Sequence, residues 1–362
     1  MARGTESING VSAGEDDLRC EALVHKHMNS AVDAMVLRCA LKLQIFDAIH
    51  RHAGRAVSVP DLAAAMPAAS VHHSTLRRVL RYLANMHLLA VDGGEAEEVY
   101  TLTPASSIYL RTDSEKSLAA FVMLLTEAEM LAPFSALEAC VAGKNGPDVP
   151  AIELVGGKSF YAMAAMDPAK GKVFDGAMKV MVRRTSEAVV KGCPAVFEGV
   201  ATVVDVGGGE GIMAAAIARA FPTTKCVVLE QAHVVERAPE IERVEFVAGD
   251  MFVSLPRADA LLFTRVLHNW SDEKAAEILK QCRKATDGDK GKVIIIDVVI
   301  DDSGDDEDVH QVKLIRDIIM MAHYGGKQRT KEEWRSLLSK VGFKNCSFTR
   351  LEAFEHVIEA RP

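Results

Sequence analysis

The spacing of apolar residues differs between the two ends of the chain. In residues 25–50 and 75–86 the apolar positions recur at helical spacing, which predicts helices that each bury one face. Further along, short apolar runs alternate with helical stretches. This pattern predicts strands at residues 201–206, 225–229, 244–247, 259–264 and 292–299, and a closing hairpin at 344–349 and 353–359. Strands that alternate with helices are typical of a doubly wound α/β sheet.

The first third of the chain is predicted to be helices followed by a hairpin. Ser58 is placed to cap a helix that has Pro60 in its first turn. After the helix at 75–86, two short strands at 88–91 and 99–102 flank a glycine turn. Two helices and a two-stranded wing form a winged-helix arrangement.

A winged helix raises the possibility of DNA binding. Arg77, Arg78 and Arg81 fall on the helix that would read DNA. Alternatively, these arginines form a solvated or subunit-facing surface. The net charge of −8 favours that second interpretation, because nucleic-acid binders need a basic surface to displace counterions.

Length and composition indicate more than one globular domain. The chain has 362 residues, of which 49% are hydrophobic and 25% charged. The patterns predict a disordered tail at 1–17, a winged-helix domain at 18–110, a methionine-rich helical segment at 111–195 and an α/β domain at 196–362.

Cysteine and histidine usage bears on location and metal chemistry. The 7 cysteines form no C-x-x-C pair, and the 12 histidines show no metal-ligand spacing. No apolar stretch is long enough to predict a membrane span, and the polar start of the chain does not match a signal peptide. We therefore expect a cytoplasmic protein without a bound metal and without a membrane or nucleic-acid partner.

A glycine-rich turn follows the first strand of the α/β domain. Gly207, Gly209 and Gly211 are spaced G-x-G-x-G, so the backbone can bend sharply and approach a ligand. A dinucleotide fingerprint would need a glycine where Ile212 stands. The pattern favours a nucleoside-binding loop, and a plain βα turn is the alternative.

The next two strands end in carboxylates. Glu230 closes the second strand, where it can accept hydrogen bonds from a ribose diol. Asp250 follows the third strand and can accept the amino group of an adenine, while Met251 and Phe252 can cover the ring. Ordinary polar residues at strand ends are the alternative. Together the loops of the first three strands predict an adenosine site.

The fourth strand leads to a histidine. His268 lies just beyond this strand, and Ser271 is placed to cap the helix that follows. An imidazole beside the predicted adenosine site is a candidate general base, because its ordinary pKa lies near neutrality. A structural histidine is the alternative.

Four motifs in order resemble the plant-type small-molecule O-methyltransferases, a family that includes caffeic acid, flavonoid, benzylisoquinoline alkaloid and acetylserotonin O-methyltransferases. The motifs are residues 204–211, 249–252, 267–272 and 325–330. The resemblance implies a Rossmann-like S-adenosylmethionine-dependent methyltransferase domain. It also implies a homodimer, in which the amino-terminal winged helix lines the partner's pocket instead of binding DNA.

The resemblance also assigns residues. The family's catalytic base matches His268, and its flanking acids fall on Asp297 and Gln328, where the family usually has glutamate at the second position. The ribose acid, usually aspartate, is Glu230 here. Arg265 resembles the cofactor-contacting arginine of the acetylserotonin branch. Gln328 removes a negative charge beside the base, which should stabilise an imidazolium less.

The sequence thus predicts methyl transfer from S-adenosylmethionine to an aromatic hydroxyl, with S-adenosylhomocysteine as the second product. The residues expected to line the acceptor pocket are Met130, Phe174, Met178, Met181, Met320, Met321 and Tyr324. Because Gln328 and Asn269 replace usual acids, a second hypothesis is that the bound cofactor is only a scaffold for an isomerisation or cyclisation. A transcriptional regulator built on the winged helix is the third.

Overall fold

The computed structural model describes residues 13–68, 70–94, 97–143, 149–159, 162, 168–286, 291–300 and 304–362. The chain folds as two compact units, Met1–Glu127 and Ala128–Pro362. The amino-terminal unit therefore extends beyond the expected boundary at 110. The reason is packing, since Leu110 and Ala119 are buried in the same hydrophobic cluster as Phe46 and Leu80.

Seven helices are described in the amino-terminal unit. They are α1 (Ala13–Met28), α2 (Ala31–Lys42), α3 (Ile45–His50), α4 (Val59–Ala65), α5 (His73–Asn85), α6 (Pro104–Tyr109) and α7 (Ala119–Leu125). The expected tail at 1–17 overlaps the start of α1, and residues 1–12 lie outside the described part. The single periodic stretch at 25–50 is divided among α1, α2 and α3. A turn at residues 29–30 separates α1 from α2, and before α3 Gln44 adopts a left-handed backbone conformation with φ of 53°.

The wing has three strands rather than two. β1 (Val57–Ser58) and β2 (Leu89–Asp92) both pair antiparallel with β3 (Val99–Leu102). β1 was missed because two residues carry no readable alternation. As expected, Ser58 caps α4, accepting a hydrogen bond from the backbone N–H of Asp61 at 3.3 Å.

Two arginines of α5 are paired within this unit. Arg81 Nε lies 2.9 Å from one oxygen of Glu98, and Arg77 Nε lies 3.8 Å from the other. Burial raises the pKa of Glu98, but its hydrogen bonds to Tyr100 and Arg81 and the arginine charges outweigh burial and hold that pKa below its ordinary value. Glu98 thus offsets part of the positive charge on the helix that would read DNA.

The second unit is built on a mixed sheet whose strands agree with the predicted ones. They are β4 (Thr202–Val206), β5 (Lys225–Glu230), β6 (Val244–Ala248), β7 (Ala260–Thr264), β8 (Lys292–Ile300), β10 (Asn345–Arg350) and β11 (Glu355–Arg361). Their order is β10-β11-β8-β7-β4-β5-β6, with β10 and β11 antiparallel. A short strand that the pattern did not predict, β9 (Arg329–Thr330), pairs parallel with the end of β8.

Helices cover both faces of this sheet. The helices described in this unit are α8 (Ala128–Leu131), α9 (Leu137–Val141), α10 (Ala151–Gly156), α11 (Pro168–Gly192), α12 (Ile212–Ala220), α13 (Ala232–Val235), α14 (Asp272–Ala285), α15 (Glu307–His323) and α16 (Lys331–Lys340), and those that pack on the two sheet faces include α14 and α16 on one and α11 and α12 on the other. Alternate residues of β8 lie on opposite faces of the sheet. Ile295 packs with α14 and α16, whereas Ile294 and Ile296 pack with α11 and α12. Burial on both faces explains the continuous apolar strands.

The strand order changes direction at β4. The chain proceeds from β4 to β5 and β6 on one side, then returns to place β7 and β8 on the other. A crevice at the carboxyl ends of the strands is the usual ligand site of such a sheet. The residues that were predicted from strand ends therefore meet along one edge.

Candidate active site

The glycine-rich turn leaves the carboxyl end of β4 with a left-handed backbone. The φ angles of Gly207, Gly209 and Gly211 are 70°, 57° and 77°. A side chain on Gly207 would also press on Val266, with its Cβ 3.0 Å from Cγ2 of that residue. Around Gly209 the added Cβ would meet no atom within 4 Å, so this turn presents open backbone to a ligand.

Glu230 holds the glycine turn from the neighbouring strand. One of its carboxylate oxygens accepts the backbone N–H of Gly209 at 3.1 Å, and the other accepts that of Gln231 at 2.9 Å. The longer arm of glutamate allows this reach. Glu230 is thus a carboxylate at the end of β5 beside the open glycine turn, where it was expected.

The third strand end carries the predicted acid and apolar pair. Asp250 is exposed and accepts the backbone N–H of Phe252 at 2.9 Å. The Phe252 ring meets Trp270 edge to face, with ring centroids 4.9 Å apart. Met251 and Phe252 both pack against the adjacent core. These contacts fix the apolar pair beside the end of β6.

A second carboxyl lies beneath the glycine turn. Asp205 is fully buried, and neither of its oxygens has a hydrogen-bond partner within the described residues. Burial and the nearby charge of Glu230 raise the pKa of Asp205 from 3.8 to about 7. Asp205 was not singled out from the sequence, because a carboxyl near the end of an apolar strand gives no sign of complete burial.

His268 and Asp297 form a close buried pair. His268 lies in a 3-10 turn, Leu267–Asn269, beyond the end of β7, and Asp297 lies in β8. The imidazole Nδ1 is 2.6 Å from Oδ1 of Asp297, which also accepts the backbone N–H of Val298 at 3.0 Å. This short contact places a proton on Nδ1 and leaves the lone pair on Nε2.

Gln328 is the third member of this group. Its amide nitrogen lies 3.3 Å from Nδ1 of His268. Because Nδ1 already carries the proton that it donates to Asp297, the Gln328 NH2 group and the Nδ1–H group would be two donors facing each other. Turning the Gln328 amide over, so that Oε1 faces Nδ1, removes that conflict. The Gln328 backbone N–H donates to Asp317 at 2.7 Å. The structure therefore brings together the three residues predicted for catalysis.

Arg265 follows β7 in a left-handed conformation with φ of 57°. Its Nη2 lies 3.9 Å from the sulfur of Met178 on α11. Its Nη1 is buried and has no hydrogen-bond partner within the described residues. A buried charged donor is costly unless an acceptor joins it, so this atom fits a carboxylate or another anionic group.

The residues predicted for the acceptor pocket are spread over three helices. Met130 is buried on α8, Met178 and Met181 lie on α11, Met320 and Met321 lie on α15, and Tyr324 caps α15. The Phe174 side chain falls outside the described part. One contact joins two of these groups: Nε2 of His323 lies 3.0 Å from the Met130 carbonyl oxygen.

Ser271 differs from its expected role. It occupies the position before α14, but its side chain makes no capping hydrogen bond. The acids at the start of the helix are present, and Asp272 Oδ1 accepts a hydrogen bond from Arg329 at 2.8 Å. Arg329 was not singled out from the sequence, where it is one basic residue in a polar motif.

Comparison with known families agrees with this arrangement. Residues 134–344 match the O-methyltransferase domain, and residues 25–112 match the O-methyltransferase dimerisation domain. The chain belongs to the O-methyltransferase family. The resemblance found in the four motifs is thereby confirmed, and this O-methyltransferase carries both the catalytic and the dimerisation domain of the family.

Curated relatives cover the O-methyltransferase from end to end. It is 36% identical over 351 residues to a probable scoulerine-9-O-methyltransferase of Papaver somniferum, and the aligned region covers 96% of this chain and 98% of the relative. It is 34% identical to (RS)-norcoclaurine 6-O-methyltransferase of Coptis japonica, with 96% and 99% covered. It is also 34% identical to isoflavone-7-O-methyltransferase 6 of Medicago sativa, with 98% and 99% covered.

Solved structures share the fold. A methyltransferase of calicheamicin biosynthesis in an SAH-bound form superposes with a TM-score of 0.80 at 25% identity, covering 95% of this chain and 98% of its own. Human N-acetylserotonin methyltransferase in complex with SAM gives 0.77 at 21% identity, with 98% and 99% covered. The Rossmann-like methyltransferase fold is confirmed, and the O-methyltransferase depends on S-adenosylmethionine.

The described residues offer neither a metal-binding cluster nor a single helix that could span a membrane. Within the described residues no group of three or more histidine, cysteine or acidic side chains could hold a metal ion. In the same part of the chain no single helix is long and apolar enough to cross a membrane, and one bent pair, Ala119–Leu125 with Ala128–Val141, passes by length and composition alone.

Proposed function

We propose that the enzyme methylates a phenolic hydroxyl of an aromatic small molecule of the alkaloid, flavonoid or phenylpropanoid type, with His268 as general base. The activities for which the relatives from Papaver, Coptis and Medicago are named support this class of acceptor. The observation that carries the proposal is the 2.6 Å contact between His268 Nδ1 and Asp297 Oδ1.

That contact prepares His268 for proton transfer. With Nδ1 protonated, Nε2 is the basic nitrogen and takes the proton of the acceptor hydroxyl. The charge of Asp297 then stabilises the imidazolium that forms, and its fixed position keeps the ring oriented. Gln328 can support the ring through its carbonyl oxygen without adding charge.

The residues at the strand ends fit S-adenosylmethionine. When bound, this cofactor supplies a methyl group activated by a sulfonium. We assign the glycine turn at Gly207 and Gly209 to close backbone approach, and Glu230 to the ribose hydroxyls. Asp250 would accept a hydrogen bond from the adenine amino group, and Met251 and Phe252 would cover the ring.

Arg265 completes the set of cofactor residues. Its buried Nη1 still lacks an acceptor within the described residues, and the cofactor's carboxylate would supply one. The chain's own residues would thus bind and orient the cofactor, and we assign no metal to the reaction.

The acceptor is proposed to lie against the methionines of α11 and α15 and against Tyr324. Thioether side chains adapt to flat aromatic surfaces. Met130 and Phe174 are assigned to the same pocket from the sequence.

We further propose that the enzyme is a cytoplasmic homodimer without a nucleic-acid or membrane partner. The match to a dimerisation domain supports the dimer, as does the exposure of four apolar residues on α1: Leu18, Leu23, Val24 and Met28, each 57% to 65% exposed. All 7 cysteines are free thiols, in keeping with a reducing compartment.

The test is methyl transfer by the wild-type enzyme and by His268→Ala. Labelled S-adenosylmethionine is incubated with a panel of alkaloid, flavonoid and hydroxycinnamate phenols, and the methylated positions are determined. We expect transfer by the wild type and a loss of roughly 10²- to 10⁴-fold in kcat for His268→Ala, with S-adenosylhomocysteine binding retained. Equal turnover by the two proteins would contradict the role of His268.

A further inference from the structure

Arg329 is buried behind the turn that carries His268. Its side chain is 0% exposed and lies over the Trp334 ring, 5.0 Å from the ring centroid. The guanidinium donates two hydrogen bonds to that turn. Nη1 donates to the Leu267 carbonyl at 3.2 Å, and Nη2 donates to the Trp270 carbonyl at 2.9 Å. A planar fork thus spans the residues on either side of His268 and Asn269.

The third donor anchors the fork to the helix that follows the turn. Arg329 Nε donates to Asp272 Oδ1 at 2.8 Å. Burial raises the pKa of Asp272, but the hydrogen bond and charge of Arg329 outweigh it and hold that pKa below its ordinary value. The turn is therefore held at its start, at its end and at the first residue of α14.

The backbone before Arg329 closes on the same turn. The N–H of Lys327 donates to the His268 carbonyl at 2.9 Å. A side chain on Gly326 would overlap that carbonyl oxygen and the backbone of Asn269, so only glycine permits this approach. The chain at 326–329 consequently brackets the turn with both backbone and side-chain donors.

The backbone of Arg329 is also tied to the strand of Asp297. Arg329 pairs with Val299 in the short parallel ladder between β9 and β8. Asp297 lies two positions earlier in β8, and Gln328 immediately precedes Arg329. One residue therefore connects the elements that carry His268, Asp297 and Gln328.

We propose that Arg329 is a positioning residue: through its fork on the turn, it sets where the His268 imidazole stands relative to Asp297 and to the reacting hydroxyl. This inference rests on the proposed function of His268 for its kinetic consequence. Its structural consequence, the placement of the imidazole, can be measured without turnover.

Arg329→Lys separates charge from geometry. Lysine keeps the positive charge beside Asp272, but its single ammonium cannot span the Leu267 and Trp270 carbonyls as the guanidinium does. A displacement of about 1 Å in a catalytic group can cost roughly 10²-fold. We expect kcat to fall by roughly 10- to 10²-fold, with S-adenosylhomocysteine affinity within about twofold of wild type.

The matched control is Arg335→Lys on the neighbouring helix α16. Arg335 is an exposed arginine that pairs with Glu332 at 3.0 Å, and among the described contacts none joins it to the turn. This variant should keep the wild-type kcat. The decisive readout is the nuclear magnetic resonance signal of the His268 Nδ1 proton, whose short bond to Asp297 shifts it downfield. We expect it to move in Arg329→Lys and to stay unchanged in Arg335→Lys.

Asp272→Ala is the second variant, for the case that Arg329→Lys does not fold and so fails to bind S-adenosylhomocysteine. Asp272 is partly exposed, and its loss frees only Nε of the fork. The Nδ1 proton signal should again move. If Arg329→Lys folds, a wild-type His268 Nδ1 proton signal in that variant overturns the positioning role, and so does a wild-type kcat. If only Asp272→Ala folds, a wild-type Nδ1 proton signal in Asp272→Ala overturns it. If the wild-type protein methylates no acceptor, the proposed function fails, and the proton signal alone then decides on Arg329.

Discussion

Replacement of Asp297 by asparagine separates the charge of this residue from its shape. In the wild type, Oδ1 accepts two donors, His268 Nδ1 at 2.6 Å and the Val298 N–H at 3.0 Å. An asparagine satisfies both only with its carbonyl oxygen in that place. The amide group then points away, where Asp297 Oδ2 has no hydrogen-bond partner within the described residues. The tautomer of His268 should therefore survive, and only the negative charge is lost.

The expected size of the effect follows from hydrogen-bond energies. A hydrogen bond to a charged group contributes roughly 1.5–3 kcal/mol and a neutral one roughly 0.5–1.5 kcal/mol. The difference of about 1 to 1.5 kcal/mol corresponds to roughly a tenfold fall in kcat for Asp297→Asn. Asp297→Ala loses the acceptor and its charge entirely, so that the Val298 N–H loses this partner and His268 Nδ1 keeps only the neutral Gln328 amide beside it. We expect roughly 10²-fold or more for alanine.

The assay is single-turnover methyl transfer at saturating acceptor, with active sites counted by S-adenosylhomocysteine titration so that unfolded protein does not enter the rate. Binding of S-adenosylhomocysteine should be equal in wild type, Asp297→Asn and Asp297→Ala. The reasoning is refuted if asparagine costs as much as alanine, because the position of the oxygen would then be irrelevant. Wild-type turnover in Asp297→Asn would equally refute a role for the charge.

Three further predictions concern other residues of the site. Gln328→Glu adds a negative charge beside the imidazole, where the amide now lies 3.3 Å from Nδ1; kcat on phenols, measured across a pH series, should rise, and no gain at any pH would contradict this. Glu230→Gln should weaken S-adenosylhomocysteine binding by roughly tenfold in calorimetry while the melting temperature changes little, and unchanged affinity would remove Glu230 from the ribose site. The folded protein keeps Asp205 protonated to about pH 7 whereas the unfolded chain releases that proton near 3.8, so ionisation lowers stability progressively as pH rises between these values. In the absence of ligand, the change in melting temperature that Asp205→Asn causes should therefore be more favourable at pH 7 than at pH 4. Equal changes at the two pH values would contradict the raised pKa of Asp205.

The parts of the fold that the sequence predicted are those with long, repeated patterns. The strands from β4 to β8 are continuous apolar runs because both sheet faces are covered, so their positions could be read directly. Two-residue strands such as β1 and β9 contain no repeat and were missed. The break at Gln44 was missed because a left-handed glutamine is held there by its surroundings rather than by its own preference.

The same distinction holds for the candidate site. His268, Asp297 and Gln328 were assembled by resemblance of motifs, and the structure brings them together. Contacts that depend on side-chain direction could not be predicted: Glu230 reaches back to the Gly209 N–H, and Arg329 reaches across to the His268 turn. The sequence alone does not distinguish an arginine whose guanidinium is buried, such as Arg329, from an exposed arginine.

The most direct test of the central claim is a crystal structure of the enzyme with S-adenosylhomocysteine and a phenol that it methylates. We expect Nε2 of His268 to lie within about 2.6–3.2 Å of the acceptor hydroxyl oxygen, with Nδ1 still bound to Asp297. An acceptor oxygen that instead faces another proton acceptor, with the His268 ring turned away, would contradict it.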